Sequence, residues 1–206
     1  MSVALSGFRA NSSDNLVLGP GVVYLNYGAT GERILGMTNG GNTFSTGVTY
    51  RDIESDRQFG MLKGLRVIDE INPTITSNLM EIDVENLKAA IPGLKEVPFA
   101  AADVTANPEL ADYTRLSIGA LDDTHYLTNV ALVATVLGSN LPIVCIIKNA
   151  ISNGEIELSL ENKSEATVEV TFTGTFDPAG LEDLANGTKT LEEIAPFEIR
   201  YPSATP

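Results

Sequence analysis

Residues able to do covalent chemistry are scarce in this chain, and their spacing does not assemble a centre. His125 is the only histidine and lies in Asp122-Asp123-Thr124-His125. A general base of that kind works by taking a proton from a neighbouring serine or cysteine. No Gly-x-Ser-x-Gly elbow presents such a nucleophile, and His125 reads as a surface histidine beside a turn. Cys145 is the only cysteine, which excludes an intrachain disulfide. Its setting, Ile143-Val144-Cys145-Ile146-Ile147, suits a buried, inert thiol. One histidine and one cysteine cannot supply a zinc site. Asp52, Glu54 and Asp56 alternate like the start of a calcium loop. Counted from Asp52, however, position six is Arg57 where a glycine is needed, and position twelve is Lys63 where a glutamate is needed. They read as a solvated acidic strand end. Gly28-Ala29-Thr30-Gly31 lacks the further glycine and the lysine of a phosphate-cradling loop. Glu192 and Glu193 diverge on either a helix or a strand and make a poor acid–base couple. No enzyme, cofactor or metal is expected.

A second kind of chemistry is more evident, that of a surface. From Glu165 to Phe176 the chain alternates, with Ala166, Val168, Val170, Phe172 and Phe176 at one parity. Glu165, Thr167, Glu169, Thr171, Thr173 and Thr175 occupy the other. Successive strand side chains point to opposite faces, so one face is built for a core. The other holds hydroxyls and carboxylates without a cation, which suits a wetted wall that grips neither apolar partners nor anions.

The elements that must position this wall are mostly short strands. Val22–Asn26 reads as one, followed by a glycine-rich loop from Gly28 to Gly41. Thr43–Glu54 alternates, with Phe44, Thr46, Val48 and Tyr50 at one parity. Phe59–Ile68 is apolar at both parities and interrupted by Gly60 and Gly64, as in an edge or interface strand. Thr74–Ile82 resumes after the Ile71-Asn72-Pro73 break, with Ile75 and Leu79 on one side and Thr76, Asn78 and Met80 on the other. One stretch reads as helix: Asp83 caps Val84–Ile91, and Pro92-Gly93 stops it. Pro98–Pro108 reads as an alanine-rich loop. Strands follow near Thr114–Ile118, Tyr126–Leu137 and Ile143–Lys148. Glu155–Leu160 is expected to form a hairpin with the Glu165 strand through a turn at Glu161-Asn162-Lys163-Ser164. Leu181–Ala185 reads as a helical turn and Phe197–Tyr201 as a last strand. The expected fold is mainly β, a β-sandwich or partial barrel covered by one flanking helix.

Composition sets outer bounds. The chain has 206 residues, of which 43% are apolar, enough for a real core in a single domain over 1–206. Net charge is −14, with 8 cations and 11 anions in residues 1–100 against 5 and 16 in residues 101–206. Binding to phosphate backbones depends on Lys and Arg displacing counterions, so this chain should stand beside DNA without holding it. No apolar run reaches the roughly 20 residues of a membrane span. The N-terminal Met1-Ser2-Val3-Ala4-Leu5 lacks the basic flank and long apolar stretch of a signal peptide, which points to a cytoplasmic origin.

Several phrases then occur in order. Tyr27-Gly28-Ala29-Thr30-Gly31 comes first, followed by Phe59–Gly93 with its Leu79–Ala90 segment. Asp177-Pro178 and Pro196-Phe197-Glu198-Ile199 close the series. Over roughly residues 20–202 this set resembles the major tail protein, or tail tube protein, of long-tailed bacteriophages. The resemblance implies hexameric rings of this one chain, stacked into a hollow tube whose inner barrel is joined from the sheets of six subunits. It further implies a virion tail location after assembly in the host cytoplasm. The implied partners are tail completion and baseplate or tip proteins, a tape measure protein in the lumen, and double-stranded DNA in transit.

In that family a long loop between early strands reaches the neighbouring ring. The matching region here is about 51–72, with Asp52, Glu54, Arg57, Phe59, Met61, Leu62, Leu65 and Arg66 as contact residues. Glu165, Thr167, Glu169, Thr171 and Thr173 become candidates to line the lumen, joined by Ser77, Glu81 and Asp83. Two other readings remain. One is an inner-tube subunit of a contractile tail or tailocin-like particle. The other is a β-sandwich adhesion or binding module, against which the absence of any Trp counts.

Overall fold

Side-chain alternation decides where this chain extends, and tight turns decide where it changes sheet. A computed structural model describes residues 12–54, 56–57, 59–139, 141–158 and 165–203. The first half contains β1 (Val17–Leu25), β2 (Arg33–Ile34), β3 (Thr38–Ser45), β4 (Val48–Asp52), β5 (Arg66–Ile71) and β6 (Thr74–Leu79). Helix α1 (Val84–Ala90), β7 (Leu94–Glu96), α2 (Ala101–Ala106), β8 (Leu116–Ile118) and β9 (Leu127–Val136) follow. The chain then forms β10 (Ile143–Ser152), β11 (Val168–Gly174), α3 (Pro178–Ala185), α4 (Leu191–Ile194) and β12 (Phe197–Arg200). The protein is mainly β, as expected.

One antiparallel sheet dominates, in the order β2-β1-β9-β10-β11-β6-β3, with β12 pairing the first half of β10 beyond the end of β11. The sheet curls until β3 returns to β1, where no ladder forms and a side chain closes the gap. Asn42 donates through Nδ2 to the carbonyls of Pro20 and Gly21 at 3.1 and 3.3 Å, while its Oδ1 accepts from the Ser77 hydroxyl. Six strands therefore surround one core, the partial barrel that the alternation implied. Inside lie Val23, Leu25, Ile75, Leu79, Val130, Ile147, Val168, Val170 and Phe172, all at most 2% exposed. Helix α1 plugs one end. Its N-cap Asp83 accepts from the Asn86 N–H, Ala90 reaches the core, and the Ala90 carbonyl accepts from the Ser152 hydroxyl at 2.6 Å.

At the other end the β3–β6 ladder continues as a separate two-stranded arm, β4–β5. Two breaks, Thr46-Gly47 and Asn72-Pro73, divide arm from barrel. Gly47 has φ +54, and a Cβ there would lie 1.9 Å from the Asn72 carbonyl oxygen; only glycine fits. This break also separates Phe44 from Tyr50, which the sequence placed on one continuous strand. A small lobe formed by β7, α2 and β8 sits beside α1.

Three expectations are corrected. Pro98–Pro108 contains helix α2; its alanines, the best helix formers, were the signal. Residues 153–158 do not form a strand, so β11 has no hairpin partner there; it pairs with β10 and β6 instead. The expected turn at 161–164 lies outside the described residues. Residues 59–65 form the arm's tip, and pairing begins only at Arg66, because Gly60 and Gly64 leave no continuous ladder.

Candidate functional site

The outer wall of the barrel is divided into two sectors. Across β3, β6 and β11 the register aligns Thr43 with Thr76 and Thr171, Ser45 with Thr74 and Thr173, and Asn78 with Glu169. Thr76 and Thr171 share a hydroxyl hydrogen bond at 2.9 Å, and the Thr173 hydroxyl donates to Asn153 Oδ1 at 2.9 Å. These cross-strand pairs hold the hydroxyls in fixed rows. Beside them the 153–158 segment forms a groove of about 580 Å³ lined by Asn78, Asn153, Glu155, Glu157, Thr167, Glu169 and Thr171. No cation lines it. Glu155 and Glu157, expected to be part of a hairpin, are its unanticipated members.

The second sector covers the outside of β1, β9 and β10, where Ala131, Val144 and Ile146 pack with Tyr24, Tyr27 and Val133. Tyr24 and Tyr27 meet edge to face with centroids 5.5 Å apart. Val22 and Ile34 continue this sector with 42% and 52% of their surface exposed. Ala131, Val144 and Ile146 are already buried within the chain, and it is the exposed apolar part of the sector, Val22 and Ile34, that favours cover.

The expected wall residues separate into three groups. Thr167, Glu169, Thr171 and Thr173 lie on the hydroxyl sector, and exposed Glu165 precedes β11. Ser77 does not belong there. It is 0% exposed, inside with Ile75 and Leu79, and its odd parity already matched theirs. Glu81 and Asp83 lie beyond β6, where Glu81 accepts from the Met37 N–H at 3.2 Å and Asp83 caps α1. The loop residues are distributed along the arm: Asp52 ends β4, Arg66 opens β5 and pairs with Asp52 at 3.1 Å, and Glu54, Arg57, Phe59, Met61, Leu62 and Leu65 form the tip between them. Phe59 is fully exposed, Met61 67% and Leu62 53%.

Residues considered for catalysis serve local structure. The His125 side chain is only 15% exposed, correcting its reading as a surface residue. Its Nδ1 accepts from the Asp122 N–H at 3.1 Å and closes a capping box. The Thr124 hydroxyl and N–H hold the Asp122 carboxyl below its ordinary range. Cys145 is partly buried, and burial pushes its thiol up, away from reactivity. Glu193 caps α4 through Thr190. Among the described residues no group of three or more His, Cys, Asp or Glu side chains is placed to hold a metal, and no helix is long and apolar enough to cross a membrane.

No protein-family model matches the sequence, and no curated protein matches it. Among solved structures, a chain of the virion of a native gene transfer agent particle aligns over 82% of this chain and 96% of its own. Its identity is 10% and its TM-score 0.36. A chain of the anti-feeding prophage baseplate aligns over 84% of this chain and 91% of its own, with 12% identity and a TM-score of 0.32. Both TM-scores are low, and neither likeness carries weight for function.

Proposed function

We propose that this protein is a structural subunit of a phage tail tube, assembling as hexameric rings that stack around a DNA channel. The observation that carries the reading is the division of the barrel's outer wall. A subunit in a closed ring needs one surface that neighbours cover and another that stays wet, and the two sectors meet those needs. The apolar sector, through exposed Val22 and Ile34 beside Tyr24 and Val133, contacts the neighbouring copy. The hydroxyl and carboxylate sector, with Thr167, Glu169, Thr171 and Thr173, faces the lumen, and Glu165 stands at its margin. DNA passing a wall whose described residues include no Lys or Arg exchanges no counterions with them, so it slides without being held. The role is mechanical and non-enzymatic, and closing sheets side by side also covers strand edges that would otherwise aggregate.

Negative-stain microscopy of concentrated protein tests the assembly. Rings or tubes with a central hole are expected, and monomers at every concentration and salt would overturn it. The lumen assignment has its own test, Glu165→Lys with Glu169→Lys in assembled particles. Slowed DNA release is expected, and an unchanged release rate would remove these residues from the channel.

A further inference from the structure

A crevice of about 390 Å³ opens at the α1 end of the barrel, between that helix and the ends of β1 and β9. Leu25, Leu94 and Leu127 give it an apolar lining. Arg33, Lys88 and His125 bring basic side chains to it within a chain of net charge −14, with Glu85 the one acid among its described lining residues. Lys88 also pairs with Glu96 at 2.6 Å and His125 lies against Asp122, which leaves Arg33 as the cation without an acid among the described residues. Arg33 is fixed from behind: Nη1 donates to Asn86 Oδ1 at 2.6 Å and Nη2 to the Glu85 carbonyl at 3.1 Å. Asn86 is 2% exposed and is itself held by the Glu81 carbonyl and the Asp83 carboxylate. No carboxylate among the described residues pairs with this guanidinium.

The arm ends in the complementary chemistry. Phe59 is fully exposed, and exposed Glu54 and Asp56 precede it. A two-stranded ribbon with an apolar tip is marginal in water without a third element to cover it. Arm and crevice lie at opposite ends of β6, which runs from Thr74 beside the arm to Leu79 before α1, roughly 20 Å. An arm therefore points away from the crevice of its own subunit. A contact between opposite ends of one molecule is heterologous, and where its rotation does not close it repeats as an open stack.

We infer that the α1 crevice receives the arm tip of a second copy, with Phe59 among Leu25, Leu94 and Leu127. The Glu54 and Asp56 carboxylates face Arg33 and compete with Glu96 for Lys88, and Arg57 of the tip has Glu85 to meet. This rests on the stacked-ring reading and adds the receptor for its arm. The groove beside β11 cannot serve, because Glu155, Glu157 and Glu169 repel the same carboxylates and its described lining has no apolar side chain for Phe59.

The test uses full-length protein carrying Cys145→Ser. One version adds Asp56→Cys and Lys88→Cys, and a control adds Asp56→Cys and Thr114→Cys, directed at a second groove, in the β7–β8 lobe, lined by Phe99, Leu110, Tyr113 and Thr114. Mild oxidation after assembly should give a ladder of covalent oligomers from the first pair alone. Tubes without that ladder, or a ladder from the control alone, would overturn the crevice assignment and leave the tube intact. Wild-type protein that never assembles would overturn the tube itself. A charge exchange covers the case of cysteine variants that fail to assemble. Asp56→Lys or Lys88→Glu alone should raise the concentration needed for stacking, and the two together should restore it. Phe59→Ser should raise it about 10- to 100-fold. No change in either set would overturn the inference.

Discussion

The Asn42 side chain is what closes the barrel, since the β1–β3 seam has no ladder of its own. Asn42→Ala should destabilise the fold by about 1–3 kcal/mol, because it also leaves the buried Ser77 hydroxyl without an acceptor. Adding Ser77→Ala should recover part of that loss, and urea midpoints of the three variants measure it. Gly47 is the second such residue. Gly47→Ala forces a Cβ against the Asn72 carbonyl in a left-handed backbone, a cost of about 1 kcal/mol or more. It should redirect the arm, so stacking should fail while far-UV circular dichroism stays near wild type. Normal tubes from Gly47→Ala would show that arm direction is irrelevant.

Among the elements, β11 carries the most. Its inner residues end in Phe172, 0% exposed at the centre of the core, and Phe172→Ala should cost about 3–5 kcal/mol by chemical denaturation. The short helices depend instead on their caps. Glu193 accepts from the Thr190 N–H at 2.7 Å and from its hydroxyl at 3.0 Å, with the backbone bond the larger cause of a carboxyl held below its ordinary 4.5. A depressed carboxyl contributes stability above its unfolded value and loses it as pH falls through the folded one. The Tm gap between wild type and Glu193→Ala should therefore be full at pH 7 and narrow below about pH 4.5. A gap independent of pH would show that this cap contributes nothing through its charge.

At the scale of the whole molecule, like-charged copies repel. With net charge −14, assembly through an apolar sector should strengthen as salt screens that repulsion. Sedimentation between low and moderate ionic strength reads the trend, and single rings that dissociate on adding salt would overturn the apolar sector as the side-by-side contact.

Much of this was legible in the chain. Period-two alternation placed Val168, Val170 and Phe172 inside and Thr167, Glu169, Thr171 and Thr173 outside, because a strand has only two faces. Asp83 and Pro92-Gly93 marked α1, since cap chemistry is local. Which outer face meets which neighbour is not local. Ser77 faces inward by the parity it shares with Ile75 and Leu79, but the acceptor that satisfies its hydroxyl there is Asn42, 35 residues away, at a seam that exists only once the sheet has curled. Glu155 and Glu157 joined the acidic groove without entering a strand. The Arg33–Asn86 pairing and the opposition of arm and crevice likewise arise from β6 spanning the barrel. Periodicity records whether a residue faces in or out; only closure of the sheet decides what stands beside it.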